Sequence, residues 1–157
     1  MVHTTQSALG IDFEGDAETT PTQTLGAKMV GTDGSEWLYC VTGGAVAQYD
    51  CVAVTEAMSA VPITKALADT GEIVGVAPVA IASGSYAWVQ TSGVCTLNVL
   101  ASCAADAKLY TSATAGSLDD ASSSQTQVHG LKLTTARAGS PGSAPALAMH
   151  IRAGGLE

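Results

Sequence analysis

Residues 71–93 read GEIVGVAPVAIASGSYAWVQTSG. Ile73, Val74, Val76, Val79 and Ile81 form an apolar, β-branched run, Ser83-Gly84-Ser85 is turn chemistry, and 86–90 resumes with strand formers. Two such runs about a glycine turn predict an antiparallel hairpin. The same grammar extends on both sides. Towards the N-terminus, 27–30 reads as a short strand, Asp33-Gly34 as a hairpin turn compatible with type I′, and 37–41 as the return strand. Thr42-Gly43-Gly44 turns the chain again into a strand over 45–54. Towards the C-terminus, Thr91-Ser92-Gly93 is expected to turn the chain into a strand over 94–100. A weaker unit follows, with 108–111 and 117–118 flanking Thr114-Ala115-Gly116. This recurring strand, turn and strand is meander chemistry and not a solenoid repeat.

One segment breaks the pattern. Residues 62–71, PITKALADTG, offer Thr64 as N-cap, good helix formers in Lys65 to Ala68, and Gly71 as a stop. A helix that short needs tertiary packing to hold it. Residues 101–107 read as a further helical turn or a loop. DDASSSQT (119–126) reads as a flexible loop, and AGSPGSAP (138–145) as a tight or mobile connection between closing strands at 128–134 and 146–151. The expectation is an all-β, mainly antiparallel domain over 26–157, a compact β-barrel or β-sandwich with at most one short helix. An extended acidic N-terminal arm, 1–25, precedes it.

That arm carries Asp12, Glu14, Asp16 and Glu18 at alternate positions. The run superficially resembles a calcium loop, but such a loop needs glycine at its sixth position and a bidentate acid at its twelfth. Here Gly15 falls fourth and Gln23 twelfth, so a solvated arm is expected, with Phe13 or Leu25 as an anchor able to order on a partner surface.

At 157 residues the chain is long enough for one self-sufficient core. It is 46% hydrophobic but only 4% aromatic and 13% charged, with 17 glycines. Ordinary globular chains carry about 25% charge. So much small apolar residue with so little charge implies that neighbouring molecules cover part of the surface. The net charge is −8, and the bases Lys28, Lys65, Lys108, Lys132, Arg137 and Arg152 stand singly. With no basic stripe, neither nucleic acid nor an anionic membrane is an expected partner. The first ten residues have no leader pattern, and no apolar run approaches the ~20 residues of a membrane span. The chain is therefore expected to be made in a cytosol. Cys40, Cys51, Cys95 and Cys103 lack metal or redox spacing and read as buried thiols, with disulfides as the alternative.

Reaction chemistry finds no foothold in the residues. His3, His129 and His150 share no zinc-ligand spacing. There is no nucleophile elbow or phosphate-binding glycine loop, and Asp33, Glu36, Asp50, Glu56, Asp69 and Glu72 mostly flank turns, where solvated acids belong. No catalytic residue, cofactor or metal site is expected, and the chain is not expected to be an enzyme. Trp37 with Tyr39, and Tyr86 with Trp88, share strand faces by the period of two. Without cationic neighbours they read as core or interface fillers in preference to a stacking platform.

Taken together, Gly43-Gly44-Ala45-Val46-Ala47-Gln48-Tyr49-Asp50, the run 71–76, Gly84-x-Tyr86-x-Trp88-Val89-Gln90-x-x-Gly93, and Leu109-Tyr110-x-x-x-Thr114-Ala115-Gly116-x-Leu118-Asp119 resemble a known group. It is that of small tailed-bacteriophage head proteins that decorate, or cement, the capsid. The resemblance covers about residues 26–151, and the acidic arm has no counterpart in it. It implies a virion protein on the capsid exterior that binds as a symmetric oligomer, a trimer first among them, where major capsid proteins meet. Many weak copies on a lattice gain from effective concentration, so no single contact need be strong. On that reading Asp12, Phe13, Glu14 and Leu25 are expected to contact the capsid. Trp37, Tyr39, Tyr86 and Trp88 are expected in the core or at the oligomer interface. A head-fibre or host-surface adhesin base is the alternative, with 119–126 and 138–145 as its receptor-binding loops.

Overall fold

The computed structural model of the protein describes residues 7, 8 and 10–154. The chain is nearly all β. A small hairpin, β1 (Ser7–Ala8) and β2 (Ile11–Asp12), precedes β3 (Lys28–Val30), β4 (Glu36–Thr42), β5 (Cys51–Val54) and β6 (Ser59–Pro62). A single short helix, α1 (Lys65–Asp69), leads to β7 (Ile73–Val76) and the long β8 (Tyr86–Val99). β9 (Leu109–Thr111), β10 (Leu118–Asp119), β11 (Gln127–Leu133) and β12 (Gly142–Ala153) complete the order.

Strands β3 to β12 form one network in which β8 is the common member. From β8 the pairing runs through β12, β11, β9 and β10 and returns to β8. A second circuit runs through β4, β6, β5 and β7 and also returns to β8. Only β4–β6 and β8–β10 are parallel. Closure of this kind removes free edges from the strands of the two circuits, while β3 hangs on β4 outside them.

Alternation along the strands sorts side chains between two interiors. On β5, Cys51 and Ala53 enter one apolar cluster with Leu97, Leu109 and Leu133, while Val52 and Val54 enter another with Leu38, Cys40 and Val89. A strand covered on both faces reads as an unbroken apolar run, which is why CVAV shows no polar alternation. On neighbouring β7 a Cβ at Gly75 would come within 3.0 Å of Val89 Cγ2 on β8, so the β7 backbone lies this close to that side chain because residue 75 is glycine.

Several local expectations stand as read. Gly31 to Ser35 joins β3 and β4, with Gly34 left-handed at φ 82 and Gly34 N–H donating to Gly31 O at 3.0 Å. Because only Gly34 is left-handed, the turn is a three-residue loop with a glycine bulge and not type I′. Thr64 caps α1 by accepting from Leu67 N–H, and Gly71 follows the helix at φ 77.

Elsewhere the neighbours overrule the local signal. Thr91-Ser92-Gly93 does not turn the chain, because β8 runs straight through it. β4 pairs with β8 up to Ser92 and β12 takes over from Gly93, so hydrogen-bond partners exist on both sides of the break. The turn chemistry survives as a kink: Gly93 has φ 109, and Gln90 Nε2 donates to both Ser92 O (3.1 Å) and Val94 O (2.9 Å). The hairpin at Ser83-Gly84-Ser85 keeps its register, Val76 facing Gln90, but splays near the turn. There Ile81 pairs with Val46 and Tyr86 pairs with Glu18. The strand expected over 45–54 is confined to Cys51–Val54. Residues 138–145 are a shorter connection than expected, since β12 begins at Gly142 and includes Pro145. Proline fits because its carbonyl accepts from Thr134 N–H at 2.9 Å, just beyond the end of β11, and the missing N–H faces that same side, where the β11 ladder has ended. Residues 101–107 form a loop.

Candidate functional site

Trp37 and Tyr39 on β4, and Tyr86 and Trp88 on β8, point away from the interior, with Tyr39 directly opposite Trp88. An outward aromatic face of this size would not stay uncovered in water. The N-terminal segment covers it. Phe13 is 1% exposed, stacked on Trp37 with ring centroids 5.1 Å apart and set edge-on to Trp88 at 5.0 Å. Phe13 is thus the anchor of the arm, and the surface it orders on is the chain's own.

Polar contacts pin the arm along its length. Glu18 and Tyr86 exchange backbone hydrogen bonds of 2.8 and 2.7 Å. Tyr39 OH donates to Glu18 Oε2 at 2.6 Å, Thr22 Oγ1 donates to the same carboxylate, and Thr22 N–H donates to Tyr39 OH. Burial would raise the Glu18 carboxyl, but the hydrogen bonds from Tyr39 and Thr22 outweigh it and hold the group below its ordinary value. Burial, and then the Glu18 carboxylate, push the Tyr39 phenol above its ordinary value. Asp12, Asp16 and Glu18 line a cavity of about 320 Å³ together with Tyr39, Tyr86 and Trp88.

Of the four expected capsid contacts, Asp12, Glu14 and Leu25 are exposed and Phe13 is not. A capsid contact through Phe13 requires the arm to leave this face. Trp37, Tyr39 and Trp88 are buried within the protein itself, and Tyr86 packs half-buried beside them. Sequence reading missed Glu18 and Thr22 as clamps. Their partner Tyr39 lies 21 residues from Glu18, and no local pattern links them.

A second constellation joins the motifs quoted above. Asp50, 7% exposed, accepts from Ala47 N–H through Oδ2 and from Asn98 Nδ2 through Oδ1, at 3.0 and 2.9 Å. Gly116, at φ 81, lies so close that a Cβ there would fall 2.4 Å from Asp50 Cγ. Backbone bonds from Cys51 to Gly116, from Gly116 to Ile63 and from Asn98 to Tyr49 complete the joint. Asp50 therefore holds a turn, a strand and a loop together, and its oxygens are already engaged.

The cysteines are free and buried. Burial raises the Cys40 and Cys95 thiols to about 12 and moves Cys51 in the same direction, with Cys95 and Asp50 adding to it. Cys103 is raised to about 11 by burial, then by Asp120 and Asp119. Those three residues bring possible ligand atoms within 4.8 Å of one another. The thiolate is the metal-binding form, and here it is disfavoured, while Asp120 Oδ2 accepts from Ala104 N–H at 2.9 Å. The arrangement clasps a loop. His150 lies 3.3 Å from Glu36 Oε2, and His3 falls outside the described residues. Among the described residues no helix is long and apolar enough to cross a membrane. Neither the known family models nor the curated proteins give a match to this chain.

Proposed function

We propose that the protein is a structural component of a tailed-bacteriophage head, decorating the capsid and stabilising it as a symmetric oligomer, with no catalytic role. The observation that carries this reading is the use made of the residues behind the resemblance. Gly43–Asp50, the stretch from Gly84 to Gly93, and Leu109–Asp119 are strand, kink and turn positions, and Asp50 with Gly116 ties two of these motifs together. Polar groups that a catalyst would keep available are engaged in construction: Asp50 in a joint, Glu18 in a clamp, four thiols in the interior. The exposed acids Asp12 and Glu14, on either side of Phe13, and the exposed Leu25 are the side chains this reading places against the capsid.

The test is co-sedimentation of the purified protein with empty and DNA-filled heads of the phage that encodes it. Saturable binding is expected, with heads that lack the protein bursting at lower temperature. Changing Asp12, Glu14 and Leu25 together to Ala should weaken binding while leaving the fold intact. A protein that ignores both kinds of head, and whose deletion leaves head stability unchanged, would refute the proposal.

A further inference from the structure

In the ten-stranded network every strand but one has at least two neighbours among the described residues; β3 has β4 alone. The backbone bonds around it fix which groups face outwards. Ala27 O accepts from Tyr39 N–H, and Gly31 N–H donates to Ser35 O, so 27, 29 and 31 face β4. Lys28 and Val30 then turn their N–H and C=O groups away from β4. Val30 is 60% exposed, and Lys28 has no ion-pair or hydrogen-bond partner among the described residues. Beside this edge lies a cavity of about 440 Å³, with Ile73 on its wall 41% exposed.

We propose that this edge is a two-fold interface with a second copy of the chain, β3 pairing antiparallel with its counterpart about Met29. The register is self-complementary. Lys28 of each copy falls opposite Val30 of the other, and these are the residues whose backbone groups face outwards, so each pair exchanges both of its hydrogen bonds. The charges fit the same register. Val30 pairs with Glu36 within one copy, so Glu36, Val30 and the second copy's Lys28 form a row on one face. The two charged residues stand two strand spacings apart, about 10 Å between Cα atoms, within reach across the valine. Glu36 Oε2 faces His150, which leaves Oε1 for that lysine. A shift of register by two residues would set Lys28 opposite the second copy's Lys28 in one direction and opposite Thr32, beyond the strand, in the other. The lysine that guards the short strand against indiscriminate pairing thus also selects one partner.

The inference does not rest on a capsid, and its test uses none at first. Backbone amide exchange is measured at rising protein concentration alongside mass by light scattering. The amides of Lys28 and Val30 should gain protection as mass rises. Lys28→Glu and Glu36→Lys should each weaken association about tenfold, and the double variant K28E/E36K should restore it. Unchanged tryptophan emission shows that the variants are folded. A protein that stays monomeric, oligomers in which these two amides exchange as fast as in dilute solution, or a double variant no better than the singles would overturn the proposal. Protection that appears only when capsid shells are added assigns the edge to a strand of another protein and overturns it equally.

Discussion

Replacing Phe13 by Ala tests how the N-terminal segment is held. The ring is buried, stacked on Trp37 and edge-on to Trp88. Truncating a buried Phe costs about 3–5 kcal/mol, and each aromatic pair contributes about 0.5–1.5 kcal/mol beyond area burial. With both kinds of ring contact present, about 4 kcal/mol is expected. For a chain of this size that corresponds to a fall of about 8–16 °C in Tm. Detachment of the arm limits the loss, because the cost cannot exceed the free energy of docking the arm. The two regimes separate in fluorescence. Both tryptophans of the protein, Trp37 and Trp88, lie under the arm. Release of the arm should shift their emission to the red below the unfolding transition and open residues 10–25 to protease, while a cavity alone should do neither. Phe13→Leu keeps most of the volume and should lose about 1 kcal/mol. A Phe13→Ala protein with unchanged Tm, emission and protease resistance would refute this account of the aromatic face.

The Glu18 clamp makes stability depend on acid. Its folded pKa lies below the unfolded value of 4.5, so its contribution is complete above about pH 4.5 and is lost as pH falls through the folded value. Urea unfolding at pH 7 and pH 3 should show a smaller acid loss in Glu18→Gln than in the unaltered protein. Tyr39 has the opposite sense: its folded pKa is raised, so its contribution holds below the ordinary value of 10.0 and fades as pH climbs through the folded value. Gly116→Ala forces a side chain into left-handed backbone, which costs about 1–2 kcal/mol, and drives it against Asp50, so a total loss of about 2–4 kcal/mol is expected by urea titration. With all four thiols buried and raised, an aromatic disulfide reagent at pH 8 should label none of them in the folded protein and all after unfolding. Rapid labelling of the folded protein would show that the interior opens.

The sequence by itself determined whatever depends on a few adjacent residues. Asp33-Gly34 turns because glycine adopts a left-handed backbone without strain, and Thr64 and Gly71 bound a helix with groups that reach only a few residues. Alternation identified Trp37 with Tyr39, and Tyr86 with Trp88, as pairs sharing a face. Only the tertiary structure decided what covers that face, since apolar attraction has no direction and Phe13 serves the chain's own rings as readily as a partner's surface. It decided too that Thr91-Ser92-Gly93 bends and does not reverse, because β4 and β12 supply hydrogen-bond partners to either side. Asp50 reads locally as a turn acid. Its role appears once folding brings Asn98 and Gly116 to it from distant parts of the chain, where a buried carboxylate must find donors or be expelled.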